Sequence, residues 1–473
     1  MTEKTLLPSL PVRGVTPVTG ADLSRRGFLR LGGSGLVASW FLNSPAAAWA
    51  ATSAAVTPKG TARNVIFIFL PGAPSQVDTW DLKEGAWTPS DFAPTSFGSG
   101  LRFPAGLMPN LANRVSDLAF VRSLKAGALV HQLSQSWIQI ARNPVRATGA
   151  NVPSIGSVAA LEFEKQRGPN DVLPAFLALN MQTGLNDEGY FPAFCAPLAI
   201  QPTPTGLPAL KHPDGSTLVN RWKDLQELDA ALRNGQPLGK DAADAAAFYN
   251  QAKLLVDTPE VNALFTYSDA DAARYGSTTF GNGCLVAKQA LAGGRGTRFV
   301  MISLTGWDGH ASIYSKSARE ELGQGSLYSS LAQLDVALAT LIGDLKATPG
   351  KAAGKTLFDE TLILVAGEFG RTAGALNSQG GRDHFEIYSA VFAGGGIKGG
   401  QAIGATDATG ATITDSGVTG RTELRAEDLA CTLYSALGID WTTKRHDDPL
   451  GRGFEYVQDA GAGVYAPIDR LFG

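Results

Sequence analysis

Along the chain, short unbroken apolar runs alternate with longer stretches in which apolar residues recur every three or four positions. The runs fall at residues 64–70 (NVIFIFL), 118–121, 298–304 (RFVMISL), 362–365 and 389–393. Each is too short for an ordinary helix and reads as a strand buried on both faces. Between them, Leu327, Leu331, Leu334, Leu338, Leu341 and Leu345 step by four and three, which predicts a helix with one apolar stripe facing a core. Further helices are predicted over 131–142, 280–292 and 427–437. Repeated strand–loop–helix order implies an α/β fold, a mainly parallel central sheet with helices on both faces.

Ionisable residues gather where the predicted strands end. After Val365 the chain breaks at Gly367 into a loop carrying Glu368, Arg371, Arg382, Asp383, His384 and Glu386. Polar side chains at the carboxyl end of a buried strand are where open α/β sheets place ligand sites. Residues 305–310 (TGWDGH) leave another strand. The first strand ends in 71–75 (PGAPS), followed by Asp78, Asp81 and Lys83. Of five histidines, His131, His310 and His384 fall in loops or a helix start at one sheet edge. Asp308 and His310, two apart in an extended loop, point the same way. That pair suits a divalent metal such as zinc, and His384 could complete an open three-ligand site. The competing reading is that each merely caps a helix or ties down a loop. His131, in the first turn of its helix, lies where free N–H groups favour anions. Glu368 and Arg371 form either a local ion pair or working parts of a site. In the second case Arg371 or Arg382 holds an anionic group, and Glu368 binds metal or acts as a base. His212 and His446 read as surface residues, and the glycines of 394–400 as a turn.

With 473 residues, the chain can form one large or two ordinary domains. Its 40 basic and 43 acidic side chains give no global argument for nucleic acid or an anionic membrane. Cys195, Cys284 and Cys431 are scattered and read as buried thiols. The stretch 165–275 is the least regular and is expected to be an insertion over the core. At the N-terminus, residues 24–30 (SRRGFLR) resemble the twin-arginine export motif. An apolar stretch, 31–42, follows, well short of the ~20 residues of a membrane span. Ala48-Trp49-Ala50 then fits a cleavage site. The expected organisation is a signal peptide over 1–50, a flexible leader over 51–63 and one domain over 64–473. The mature chain would have no membrane span and be periplasmic or secreted after passing the twin-arginine export machinery. That route carries folded proteins, which fits unpaired cysteines and a metal acquired before export.

The motifs FIFLPGAPSQVDTWDLK, VHQLSQSWIQIAR, GWDGH, GEFGRT, GGRDHF, AGGGIKGG and EDLACTLYSALGID, in this order, resemble the secreted bacterial family called domain of unknown function 1501. That family in turn resembles a branch of the alkaline-phosphatase/sulfatase superfamily. The resemblance implies an alkaline-phosphatase-like sheet between helices and metal-assisted hydrolysis of a phosphate or sulfate ester on a small-molecule or envelope substrate. It implies Asp308, His310 and His384 as metal ligands, and Glu368 at the position of the Asp in a DHG motif. His131 opens the helix where sulfatases keep their nucleophile, so it would be nucleophile or general base. Arg371 would stabilise developing charge. Three departures stand out. The metal-binding Asp after the first strand is replaced within Leu70-Pro71-Gly72, Phe369 replaces the DHG histidine, and His131 replaces a Ser, Thr or Cys. They leave a single ion in place of two, with Asp78 or Asp81 as outside candidates, or else a catalytically silent relative that binds a ligand or partner in the cell envelope.

Overall fold

The run NVIFIF forms β1, Asn64–Phe69, and every residue of it is buried. Its side chains alternate between two cores, as the period of a strand requires. Val65, Phe67 and Phe69 enter one cluster, and Ile66 and Ile68 the other. In this computed structural model the described residues are 56–473 without 99, 146–150, 182–183, 318–325 and most of 208–257. The expected signal peptide, the first part of the leader, His212, part of the helical pattern near 219–232 and nearly all of that near 241–256 lie outside the described residues.

The remaining strands of the main sheet are β2 (Leu118–Lys125), β3 (Phe176–Leu179), β4 (Leu198–Ile200), β5 (Phe299–Ser303), β6 (Thr361–Ala366), β7 (Ile387–Ala393) and β8 (Gln401–Ile403). The sheet has eight strands in the order β8-β2-β7-β6-β1-β5-β3-β4. β1 lies at its centre, parallel to β5 and to β6. β7 alone runs against its two neighbours, β2 and β6. The reason is the connection. The loop from β6 to β7 carries no helix that could return the chain to the opposite edge, so β7 starts where β6 ends.

Among the described residues five long helices cover the sheet: α1 (His131–Ile140), α2 (Ile155–Glu164), α3 (Thr279–Gly293), α4 (Leu327–Ala347) and α5 (Ala426–Leu437). α3 and α4 pack on the Ile66/Ile68 face, and α1, α2 and α5 on the Val65/Phe67 face. The leucine stripe of α4 is buried as its spacing predicts, and the Ser326 hydroxyl caps its first turn by accepting from Ser329 N at 2.9 Å. α5 is buried all round, although its sequence reads as amphipathic. The C-terminal segment packs on it, the Tyr456 ring lying 6.2 Å from that of Tyr434 and Ile468 N donating to Thr432 Oγ1 at 3.0 Å. The insertion expected over 165–275 needs correcting in its first part: β3 and β4 come from it and complete one side of the sheet. FLAL and LAI are too short, and too closely flanked by Pro, for periodicity to reveal them. Among the described residues, no helix is long and apolar enough to cross a membrane.

One buried carboxylate ties α4 to the rest of its layer. Asp335 accepts from the Asn110 and Leu111 backbone N–H groups at 3.1 and 2.7 Å and from Asn110 Nδ2 at 2.7 Å. Burial raises its pKa despite these donors. Asp335→Ala leaves those N–H groups unpaired at the start of the short helix Pro109–Ala112. The expected loss is about 1–3 kcal/mol, read by chemical denaturation; an unchanged midpoint would contradict it.

Candidate metal centre

Register brings the site together. Phe69 lies opposite Ser303 on one side and Ala366 on the other, so β1, β5 and β6 end level with one another. Three loops therefore leave from a single line: 71–75, 304–310 and 367–386. His384, just before β7, returns to the same edge through a two-residue ladder in which His384 pairs with Arg371. α1, which follows β2, brings His131. Gly72 lets the first two loops touch: its φ is +104°, and a Cβ there would stand 2.9 Å from Asp308 N.

At this edge His131, Asp308, His310 and His384 converge, each offering one ligand atom within 4.8 Å of the others. Asp308 Oδ1 lies 3.1 Å from His310 Nε2, 3.3 Å from His131 Nε2 and 3.8 Å from His384 Nε2. The Nε2 atoms of His310 and His384 are 3.0 Å apart. The tautomers follow from what the other ring nitrogens touch. His131 Nδ1 lies 2.6 Å from Glu368 Oε1, His310 Nδ1 3.0 Å from Asp383 Oδ1, and His384 Nδ1 2.9 Å from the Leu129 carbonyl. All three partners are acceptors, so each Nδ1 carries the hydrogen and a neutral ring turns its Nε2 lone pair into the cluster. His131 Nε2 is buried and has no hydrogen-bond partner. Lone pairs facing one another at contact distance call for a positive charge between them. Three imidazoles and a carboxylate, each imidazole braced through its far nitrogen, are a donor set that suits zinc or a similar divalent ion.

The electrostatics agree on the sign of what belongs there. Burial works to lower the His131 pKa, but Asp308 and Glu368 outweigh it and raise the imidazole to about 9. Burial likewise opposes ionisation of Asp308, yet His131 and Arg371 hold its carboxyl well below the usual range. His384 is lowered, first by burial and then by the positive charges of Arg371 and its fellow histidines. A proton on His131 and a metal ion would compete for the same electrons.

Arg371 is fully buried, and its five N–H groups have partners. Nε meets Ala73 O at 3.0 Å; Nη1 meets Arg382 O at 3.1 Å and His310 Nε2 at 3.3 Å; Nη2 meets Gly72 O at 2.6 Å and Asp308 Oδ1 at 2.5 Å. The expected local pair of Glu368 with Arg371 is therefore not formed. Glu368 Oε1 instead accepts from Gly72 N at 2.9 Å and Gln135 Nε2 at 3.1 Å, besides His131. Arg371 reaches Asp308 and braces it, with no N–H left for a substrate anion. Arg382, expected to hold an anionic group, has its whole side chain engaged elsewhere. It is buried against Asp78 (Nε to Oδ2, 2.8 Å), Tyr314 and the carbonyls of Thr372 and Gly374. Asp78 is thereby taken, and Asp81 lies in a separate network with Lys83, Arg122 and Thr406. Phe369 is buried against both the His131 and His384 rings, at centroid distances of 4.8 and 4.6 Å. His446 is exposed. Sequence reading missed Gln135 and the Leu129 carbonyl. Gln135, four residues beyond His131 on α1, could have been found from helical spacing; a backbone carbonyl leaves no such signal.

Over residues 62–464 the sequence matches the family described as Protein of unknown function (DUF1501). The chain belongs to that family. No curated protein matches this DUF1501 member. Among solved structures it is similar to a putative sulfatase from Bacteroides thetaiotaomicron, with 10% identity, TM-score 0.36, and 85% of this chain and 75% of that one covered. It is also similar to the lipoteichoic acid synthase LtaP from Listeria monocytogenes (10% identity, TM-score 0.35, covering 84% and 78%). A third is a phosphonate monoester hydrolase from Silicibacter pomeroyi (12%, 0.35, covering 80% and 73%). At such scores the likeness says nothing about chemistry, which has to come from the site.

Because Gly72 combines a positive φ with contact to the backbone of the Asp308 loop, Gly72→Ala strains one loop and displaces the other. The expected outcome is a loss of about 1–3 kcal/mol in thermal or denaturant unfolding. Unfolding unchanged from that of the natural chain would show that the close approach is dispensable.

Proposed function

We propose that this DUF1501 chain is a metal-dependent hydrolase acting on a phosphate or sulfate ester. The observation that carries this reading is the convergence of three Nε2 lone pairs and one carboxylate oxygen at the mouth of a cleft. In this reading Asp308, His310, His384 and His131 hold the ion. A bound divalent cation would act as a Lewis acid on the ester oxygen and lower the pKa of water. Glu368, Asp383 and the Leu129 carbonyl orient the three rings, and Arg371 fixes Asp308. The cleft measures about 590 Å³ and runs from His131 and Asp308 past the amides of Gln135, Asn180, Gln201 and Gln333. Those amides would hydrogen-bond the rest of the substrate. The role first expected of His131, nucleophile or base, gives way here to that of ligand, because its Nε2 points at Asp308 and its Nδ1 is engaged by Glu368. Export by the twin-arginine machinery to the periplasm or beyond forms part of the same proposal, motivated by residues 24–30 and 48–50.

One observation favours a second reading, a catalytically silent binder. Arg371 already touches both Asp308 Oδ1 and His310 Nε2 and could itself be the cation that the cluster requires. Elemental analysis of purified protein separates the two. The hydrolase reading expects about one equivalent of divalent metal, lost in His384→Ala, and an affinity about ten- to a hundredfold weaker in Asp383→Asn. It also expects hydrolysis of aryl phosphates or aryl sulfates that disappears on chelation and returns with metal. Substoichiometric metal in protein loaded with zinc favours the Arg371 reading. Full metal occupancy without ester hydrolysis would sink the choice of reaction.

A further inference from the structure

The edge of the sheet opposite the metal cluster has a cavity of about 520 Å³. It opens where the parallel strands begin. Arg63 precedes β1, Arg298 precedes β5 and Glu360 precedes β6, and the strands separate it from the cluster by roughly 20 Å. Its charge is unbalanced. Arg63, Arg167, Arg298 and Lys351 line it against Asp171 and Glu360, and both carboxylates already have partners. Glu360 accepts from the Lys351 and Ala352 backbone N–H groups at 2.8 and 2.6 Å, leaving Arg63 Nε at 3.9 Å. Asp171 accepts from Gly168 N at 2.8 Å.

Arg298 is the residue least accounted for. Its Nε donates to the Arg63 carbonyl at 2.6 Å, and its guanidinium lies over the Phe163 ring, 4.3 Å from the centroid. Among the described residues, neither of its terminal nitrogens has a hydrogen bond and it forms no ion pair. Burial, and then the like charge of Arg63, push its pKa down to about 10. A planar fork held against an aromatic ring, with four N–H groups open to the cavity's solvent and a second guanidinium beside it, matches a carboxylate or phosphate. Leu291 and Leu357 give the same cavity an apolar wall.

We infer that this cavity is a second ligand site, taking a small organic anion whose carboxylate or phosphate is held by Arg298 and Arg63. The site is independent of the reading of the metal cluster. Calorimetric titration of the full chain at constant ionic strength, with inorganic phosphate and with succinate as separate probes, tests it. Binding of at least one probe is expected, with Arg298→Gln weakening it about tenfold or more, the loss of a charge-assisted hydrogen bond. Arg63→Gln gives the second variant. Its side chain is 39% exposed, so it should fold even if Arg298→Gln does not, and it too should weaken binding. Phosphate alone identifies a phosphorylated ligand, and succinate alone a carboxylate. His310→Ala, which damages the other edge, should leave the binding that depends on Arg298 and Arg63 unchanged. Three results would overturn the inference: no binding of either probe up to about 10 mM, well beyond the millimolar range of a weak specific site; equal binding in the natural chain and every variant that folds; or binding abolished by His310→Ala and retained in Arg63→Gln.

Discussion

Lone pairs of like kind do not share a small volume unless something positive stands among them. At the carboxyl edge of this sheet, three imidazole nitrogens and a carboxylate oxygen are held together by groups that are themselves fixed. Glu368 is pinned by Gly72 N and Gln135, His384 by a backbone carbonyl, and Asp308 by a buried arginine whose N–H groups are all engaged. Relaxing the repulsion by swinging one ring away would break its Nδ1 hydrogen bond, at about 0.5–1.5 kcal/mol for a neutral pair and more for a charged one. The surroundings therefore impose the demand for a cation, and Arg371, a proton on His131 and a metal ion are three ways to meet it.

That demand depends in turn on the sheet. Loops from β1, β5 and β6 meet because the strands end in register, and the apolar runs that make them strands also bury them on both faces. A slip of one residue would turn each strand's side chains to the opposite core and move the loop ends out of line. The packing of Val65 and Phe67 on one side and Ile66 and Ile68 on the other thus helps set the distances among His131, Asp308 and His310. The buried pair of Arg382 with Asp78 serves the same purpose on the outer side. It staples the long 367–386 loop to the segment after β1.

Much of this was legible in the amino-acid sequence. The central strands and the helices α1, α3, α4 and α5 carry strong periodicity, and Asp308, His310 and His384 stand out by type and by their places after strands. Two kinds of feature were not legible. β3 and β4 are runs of only four and three residues, too short to show a period, and what defines them is pairing, β3 with β5 and β4 with β3. Partner choice among charges was also hidden. Glu368 and Arg371 are three apart and look like a pair, yet each finds a better partner across the chain, in His131 and Asp308. Sequence proximity predicts ion pairs on helices, where spacing fixes geometry; in a loop the partner is set by tertiary contacts. Arg382 misleads for the same reason, since nothing local indicates that Asp78 will be buried against it.

A parallel sheet has two chemically different edges, and in this chain they carry different side chains. At the carboxyl ends the loops are long and carry acids and imidazoles, a set that attracts cations. At the amino ends the connections are tighter and leave arginines whose backbone partners are satisfied before their side chains are, as with Arg298 and Arg63. Strands buried on both faces keep water out between the two edges and hold them a fixed distance apart. Opposite charges can then be displayed on one rigid body without neutralising each other, because at roughly 20 Å the separation exceeds the screening length of about 8 Å in physiological salt.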